Sequence, residues 1–384
     1  LSLHDALPIY GAAHTATGTA KGVLNEDLSG LDLAGTTHTS AGSYGADGWT
    51  FTDSTGNYNN GSGTVSDSIA GAPLTVIVAD ASRAYGQTNP VFGVSYSGFI
   101  DGQTNDVLGG GLSVSSAADT NSAVGTYPIT ASGLVGNNYA LSYQDGTLAV
   151  TNALLTVTAN NTNKVYGQAV TFSGGEFAVS GLVSTDSVSS VTLSSAGAAA
   201  GATVVGGPYS IDITNAVGDE GLTNYLITYV AGTLTVDKAN ATIVVTPYSA
   251  TYDGSAHTAS GTATGVASEA LSGLDLSGTT HTGAGSYAAD GWTFTDVTGN
   301  YNNTNGTVAD GIGKANATVV VNGYTGVYDG VAHGASGSAT GVSGEDLGSL
   351  LTLGASFTAV PGGAANWSFA GNANYNAASG TAGV

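Results

Sequence analysis

The residues best equipped for proton transfer or metal ligation are six histidines in a chain of 384 residues, since imidazole titrates near neutral pH and binds transition metals. Their spacing points elsewhere. His14, His257 and His333 fall at one position of an internal repeat, and His38 and His281 at a second, where the third copy carries Phe357. Phenylalanine standing in for histidine fits a packing position. A general base or metal ligand also needs partners around it, and the long stretch between residues 72 and 237 has no histidine.

Oxygen ligands are more plentiful, with 27 Asp and Glu against 5 Lys and Arg. Calcium, a hard cation, is the metal that such a chain could take. The densest acidic loops are Asp101-Gly-Gln-Thr-Asn-Asp106 and Gly218-Asp-Glu-Gly221, making Asp101, Asp106, Asp219 and Glu220 the calcium candidates. Neither loop has the ligand spacing of an EF-hand or of the calcium-binding nonapeptide repeat, so solvated acidic turns are the expectation. The abundant Ser and Asp include no Gly-x-Ser-x-Gly elbow, and no glycine cluster is followed by a P-loop lysine. Carboxylate pairs of the glycosidase kind depend on spatial separation, and repetition in every unit would be odd for one active site. No catalytic residue and no bound cofactor are expected.

What must position any site is the repeat itself, the first thing to look for at periods of this size. Residues 11–69 match residues 254–312 at a constant offset of 243, which pairs Trp49 with Trp292 and Tyr58 with Tyr301. A third copy runs from Tyr328-Asp-Gly330 through Trp367, Phe369 and Asn374-Tyr375-Asn376. Between them lies a second type of unit, Leu74–Val78, Tyr85-Gly-Gln87, Asn138-Tyr139 and Gly146–Val150. It recurs as Leu155–Thr158, Tyr166-Gly-Gln168, Asn224-Tyr225 and Gly232–Val236.

The organisation read from this is 10–71, a Tyr-Asp-Gly repeat lacking its first strand; 72–152 and 153–237, two Tyr-Gly-Gln repeats; and 238–313 and 314–384, two further Tyr-Asp-Gly repeats, the last cut short at its end. Leu1–Ile9 reads as the translation of a sequencing adapter, CTT TCC CTA CAC GAC GCT CTT CCG ATC, and is set aside from fold reasoning.

Composition narrows the class. A net charge of −22 repels nucleic-acid backbones and anionic lipid, and no apolar run approaches membrane-spanning length. Without cysteine there are no disulfides or thiolate metal sites, so each unit depends on its core. A surface rich in Asp, Ser, Thr and Asn suits an exported bacterial protein.

The β-branched runs Ala241–Thr246 and Ala317–Asn322 are of strand length. Trp292-Thr-Phe294 and Tyr225–Tyr229 alternate with the period of a half-buried strand, and Asp-Gly pairs mark the turns. Thr104–Leu108 and Ala196–Ala202 are the nearest approach to helix. The expected fold is all-β, a tandem array of small Ig-like sandwiches of about six or seven strands each, with short junctions. Trp292, Phe294 and Tyr301 are expected to share a core with Ile243–Val245.

The Tyr-Asp-Gly start, the Trp-x-Phe pair and the Gly-Asn-Tyr-Asn close resemble the MBG repeat of bacterial surface proteins, and the Tyr-Gly-Gln units resemble the related YGX type. Together they span nearly the whole chain after residue 9. The resemblance implies a secreted or surface-attached adhesin similar to filamentous haemagglutinins, with the repeats as stalk or spacer. It also allows a β-grasp-like fold for the YGX-type units. Two alternatives stay open: direct adhesion to a surface protein or glycan, and accessory modules of a cell-wall or glycan-active enzyme.

Overall fold

The computed structural model describes residues 11–218 and 220–384; the adapter-like Leu1–Ile9, Tyr10 and the calcium candidate Asp219 lie outside them. Contacts divide the chain into two compact units. One comprises residues 1–158, 177–192 and 214–230, the other 159–176, 193–213 and 231–384. The second Tyr-Gly-Gln repeat is therefore shared between them.

The described residues are strands joined by turns, with no α-helix; the helical segments are six short 3-10 turns. Thr104–Leu108 becomes a single turn at Asn105–Val107, and Ala196–Ala202 one at Ala196–Ala198. Each offers too little apolar surface to dock a helix on a sheet, so the β-grasp-like alternative gives way to sheet on sheet.

In the first unit, residues 72–152 build a sandwich. Tyr139–Gln144, Ala72–Val78 and Val94–Ser97 form a three-stranded sheet. Ala81–Ala84, Gly146–Thr151, Gly125–Val135 and Gly109–Ser116 form a four-stranded one. Alternation decides what faces inward. Leu74 and Val76 from one sheet, and Ile129 and Leu148 from the other, are fully buried. Each such side chain contributes about 1.5–3 kcal/mol of transfer free energy. The opening strand runs parallel to the penultimate one, with Ala72 opposite Tyr139, and the last strand runs parallel to Ala81–Ala84 in the other sheet, so the start of the repeat is fastened to its end in both sheets. Only Asn152 then separates Gly146–Thr151 from the next strand, Ala153–Ala159.

In the second unit, residues 238–313 pair Thr242–Thr246 with Ser260–Thr264. A second sheet orders Ser249–Thr251, Thr304–Gly313, Gly285–Phe294 and Leu274–Asp275. Its core is Ala239, Ala263, Phe294 and Tyr301, with Ile243, Leu271, Leu274 and Trp292 packed against it. The sequence expectation holds: Phe294 and Tyr301 are buried, and Trp292 and Ile243, each half-buried, pack against them. The Trp292 ring lies across the neighbouring strand and faces Gly306, where a Cβ would come within 2.3 Å of the indole. Trp49 over Gly63 and Trp367 over Gly380 repeat the arrangement.

Candidate functional site

The imidazoles do not assemble a reaction centre. His281 stacks on Tyr287 at 3.5 Å and bonds Asp290 at 2.9 Å, and His38 does the same with Tyr44 and Asp47 at 3.5 and 2.8 Å. His257 and His333 bond Asp253 and Asp329, four residues earlier. The backbones of His257 and His281 are bridged to each other, as are those of His333 and Phe357. The bridge is made by backbone groups outside the named strands, which explains why phenylalanine can take one place.

Of the calcium candidates, Asp101 sits in a turn at φ 52° and Asp106 accepts the Thr104 hydroxyl. Glu220 opens the short turn Glu220–Asn224. Among the described residues no three His, Asp or Glu side chains gather as a metal site.

The recurrent constellation is at the joints between repeats. At each one, the Asn-Tyr pair of a repeat engages the repeat before it. The Asn224 carboxamide oxygen accepts the Val124 N–H at 2.9 Å, Asn300 that of Val204 at 2.9 Å, Asn374 that of Ala284 at 2.9 Å, and Asn138 that of Ala41 at 3.1 Å. The tyrosine that follows stands edge-on to the tyrosine of the preceding Tyr-Gly-Gln or Tyr-Asp-Gly turn. Ring centroids are 5.6 Å apart for Tyr85 and Tyr225, 5.5 Å for Tyr166 and Tyr301, and 5.5 Å for Tyr252 and Tyr375. An aromatic pair at this separation and angle adds about 0.5–1.5 kcal/mol beyond burial. Each of these joints lies inside one of the two compact units.

The tyrosine hydroxyls are fully engaged. Tyr225 OH accepts the Val183 N–H at 2.8 Å and donates to Asp186 at 2.6 Å, to which Tyr85 OH also donates at 3.0 Å. Tyr301 accepts from Val266 and donates to Glu269; Tyr375 accepts from Val342 and donates to Glu345. At the first joint Tyr139 accepts from Ile100 and donates to Gln103. Burial first, then the carboxylate, pushes the Tyr225 and Tyr301 hydroxyls up to about 12. The tyrosine bond, aided by backbone N–H groups, holds Glu269 and Glu345 below their ordinary value.

The glycine of the turn completes the fit. Gly86, Gly167 and Gly254 have φ of 82°, 90° and 80°, and a Cβ on them would fall 2.4, 2.3 and 2.4 Å from Val183, Val266 and Ser343 of the following repeat. Glycine is needed twice over, for its left-handed backbone and for the close approach. In the Tyr-Gly-Gln repeats a buried cation braces this turn. Arg83 donates to Ala84 O, Asp119 O and Asn89, and Lys164, at the matching position, to Gln168 O and Ala199 O. Burial lowers the Lys164 pKa.

Reading the tyrosines as core material captured half of their role: Tyr301 is 1% exposed, but Tyr166 of the preceding repeat supplies part of its burial. A signal was present. Asn-Tyr, and a tyrosine followed within two residues by glycine, persist in both types of repeat, whose other sequence differs, which is what a joint common to both requires.

Small sheets in each repeat and a joint that recurs between neighbouring repeats define a tandem array of small β-domains. The family model for the MBG domain (YGX type) matches residues 74–149 and 155–235. These two segments are tandem MBG (YGX-type) domains. A search of curated proteins returns no match. Among solved structures the chain is similar to the one described as "Crystal structure of the Protocadherin GammaB4 extracellular domain", at 9% identity and a TM-score of 0.24, over 99% of this chain and 78% of that one; a likeness this distant says nothing of function. No helix among the described residues is long and apolar enough to cross a membrane.

Proposed function

We propose that the chain is a structural spacer, a run of repeats that holds a binding region of an exported bacterial surface adhesin away from its anchor. One observation carries the reading: the asparagine, tyrosine and glycine that define the repeats are spent on neighbouring repeats, and so are withdrawn from any ligand. The acidic surface, with a net charge of −22, keeps such an array soluble and discourages collapse of one domain on another. The proposal includes no catalytic role. Replacing His257 and His281 together is expected to leave any hydrolase activity of the preparation unchanged.

Two measurements on the whole chain test the reading. Stretching single molecules is expected to give stepwise unfolding, one repeat's length of chain per step. Glycan arrays and surfaces coated with matrix proteins are expected to retain none of it. Saturable retention would move direct adhesion ahead of spacing.

A further inference from the structure

How a repeat resists being pulled apart depends on how its first strands are joined to its last. In both Tyr-Gly-Gln repeats the two ends lie side by side and run parallel. Residues 72–77 are aligned with residues 139–144 through six pairs, and Ala81–Ala84 with residues 148–151 through four. In the second such repeat, residues 153–158 meet Tyr225–Val230 through six pairs, and Thr162–Val165 meets residues 234–237 through four. Residues 238–313 are joined far less. There Ala239 meets Tyr301 in a single parallel bridge, and Ser249–Thr251 runs along residues 311–313 through three pairs. Thr242–Thr246, between them, pairs only with Ser260–Thr264.

Tension on a chain enters a repeat at its first residue and leaves at its last. Parallel end strands are then dragged past each other along their length, so the evenly spaced hydrogen bonds of the pair carry load together. We infer that the repeats form a graded mechanical tether, in which the Tyr-Gly-Gln repeats bear tension intact while residues 238–313 give way first and lengthen the chain. Rupture under force follows the rate of unfolding, so the grading needs no difference in equilibrium stability. Joints with the same ring geometry flank both kinds of repeat and do not account for it. A repeat that yields early releases slack and limits the tension reaching whatever the array carries. That use deepens the spacer reading and rests on it, whereas the grading itself rests on the strand pairing.

Force spectroscopy on the whole chain tests it, with handles on introduced cysteines, since the chain has none of its own. Ala70→Cys with Asn152→Cys loads residues 72–152 end to end, and Lys238→Cys with Lys314→Cys loads residues 238–313; all four positions are exposed. With load shared over the aligned bonds, the first repeat is expected to break at about twice the force of the second at equal pulling speed. Ala79→Cys with Asp145→Cys pulls residues 72–152 from two other exposed points. They meet beside Gly146, where a Cβ would lie 2.7 Å from the Ala79 carbonyl oxygen. The parallel strands are then peeled from one end, and the breaking force is expected to fall to that of residues 238–313 or below. Equal forces for the two repeats, a stronger 238–313, or a force for 72–152 that ignores direction would each overturn the inference and leave the spacer reading standing. Saturable retention on glycans or matrix proteins would instead remove that reading and leave the grading.

Discussion

The ring of Tyr166 stands edge-on to that of Tyr301, 5.5 Å away at an interplanar angle of 79°, although the two belong to different types of repeat. The hydroxyl of Tyr301 is at the same time bonded to Val266 and Glu269 of its own repeat. One side chain thus closes its own core and receives its neighbour, and most consequences of the fold run through it.

Tyr301→Phe keeps the ring and removes the hydroxyl, leaving the Val266 N–H and the Glu269 carboxylate without their partner. The expected cost is about 1–3 kcal/mol. Tyr301→Ala also opens a cavity, for about 3–5 kcal/mol. Denaturant unfolding measures both. Because Tyr166 packs on the same ring, hydrogen exchange is expected to report loosening at Tyr166 and Gly167 as well as in the repeat that carries the substitution. Loss of protection confined to residues 238–313 would mean that the joint transmits nothing.

Asn300→Ala removes the acceptor of the Val204 N–H. The loss expected is about 0.5–1.5 kcal/mol, the usual net worth of one hydrogen bond, with faster exchange at the Val204 amide. Asn224→Ala and Asn374→Ala are expected to act alike at Val124 and Ala284. An effect spread evenly through the repeat would show that the carboxamide orders its own loop and does not fasten the joint.

Acid is expected to weaken the last two joints and spare the first. Glu269 and Glu345 lie below their ordinary value of 4.5 when folded. The stability this supplies is present above the unfolded value and is lost as pH falls through the lowered folded one. At the alkaline side the sign reverses. Tyr301 moves from 10.0 to about 12, so its contribution is complete below 10.0 and disappears as the pH rises toward 12. Gln103 takes the carboxylate's place at the first joint and does not titrate. Exchange at Val266 and Val342 that did not quicken in acid relative to Ile100, after allowance for intrinsic rates, would refute this account.

Gly306→Val tests the contact between indole and glycine. A side chain there would strike the Trp292 ring and drive it outward. Overpacking of this kind costs about 1–3 kcal/mol. Tryptophan emission is expected to shift toward the red, and an unchanged spectrum would mean that the ring has room to move aside.

Much of this architecture is legible in the chain. Ala241–Thr246 contains the strand Thr242–Thr246, and the alternation in Leu74–Val78 places Leu74 and Val76 inside. Phe294, Tyr301 and Ile243 share a core as their spacing implies. The joints were less legible, for a physical reason. Periodicity reports which side of a strand is apolar, whereas a joint is made by turn residues whose partners lie in the next repeat. Val124 gives its backbone N–H to Asn224, and backbone donors leave no mark on sequence. A turn glycine such as Gly167 shows in sequence only as a turn residue, whereas its missing Cβ also makes room for Val266.

Asn-Tyr on one side and a tyrosine followed within two residues by glycine on the other recur in both kinds of repeat, and the joints that link a kind to itself have the same ring geometry as the joint that links one kind to the other. Any repeat can therefore follow any other without a new interface having to be invented. For a gene that encodes such a run, unequal recombination in register adds or deletes whole repeats and leaves every remaining joint intact. The number of repeats becomes free to vary between lineages, and reach can be selected independently of whatever the array carries.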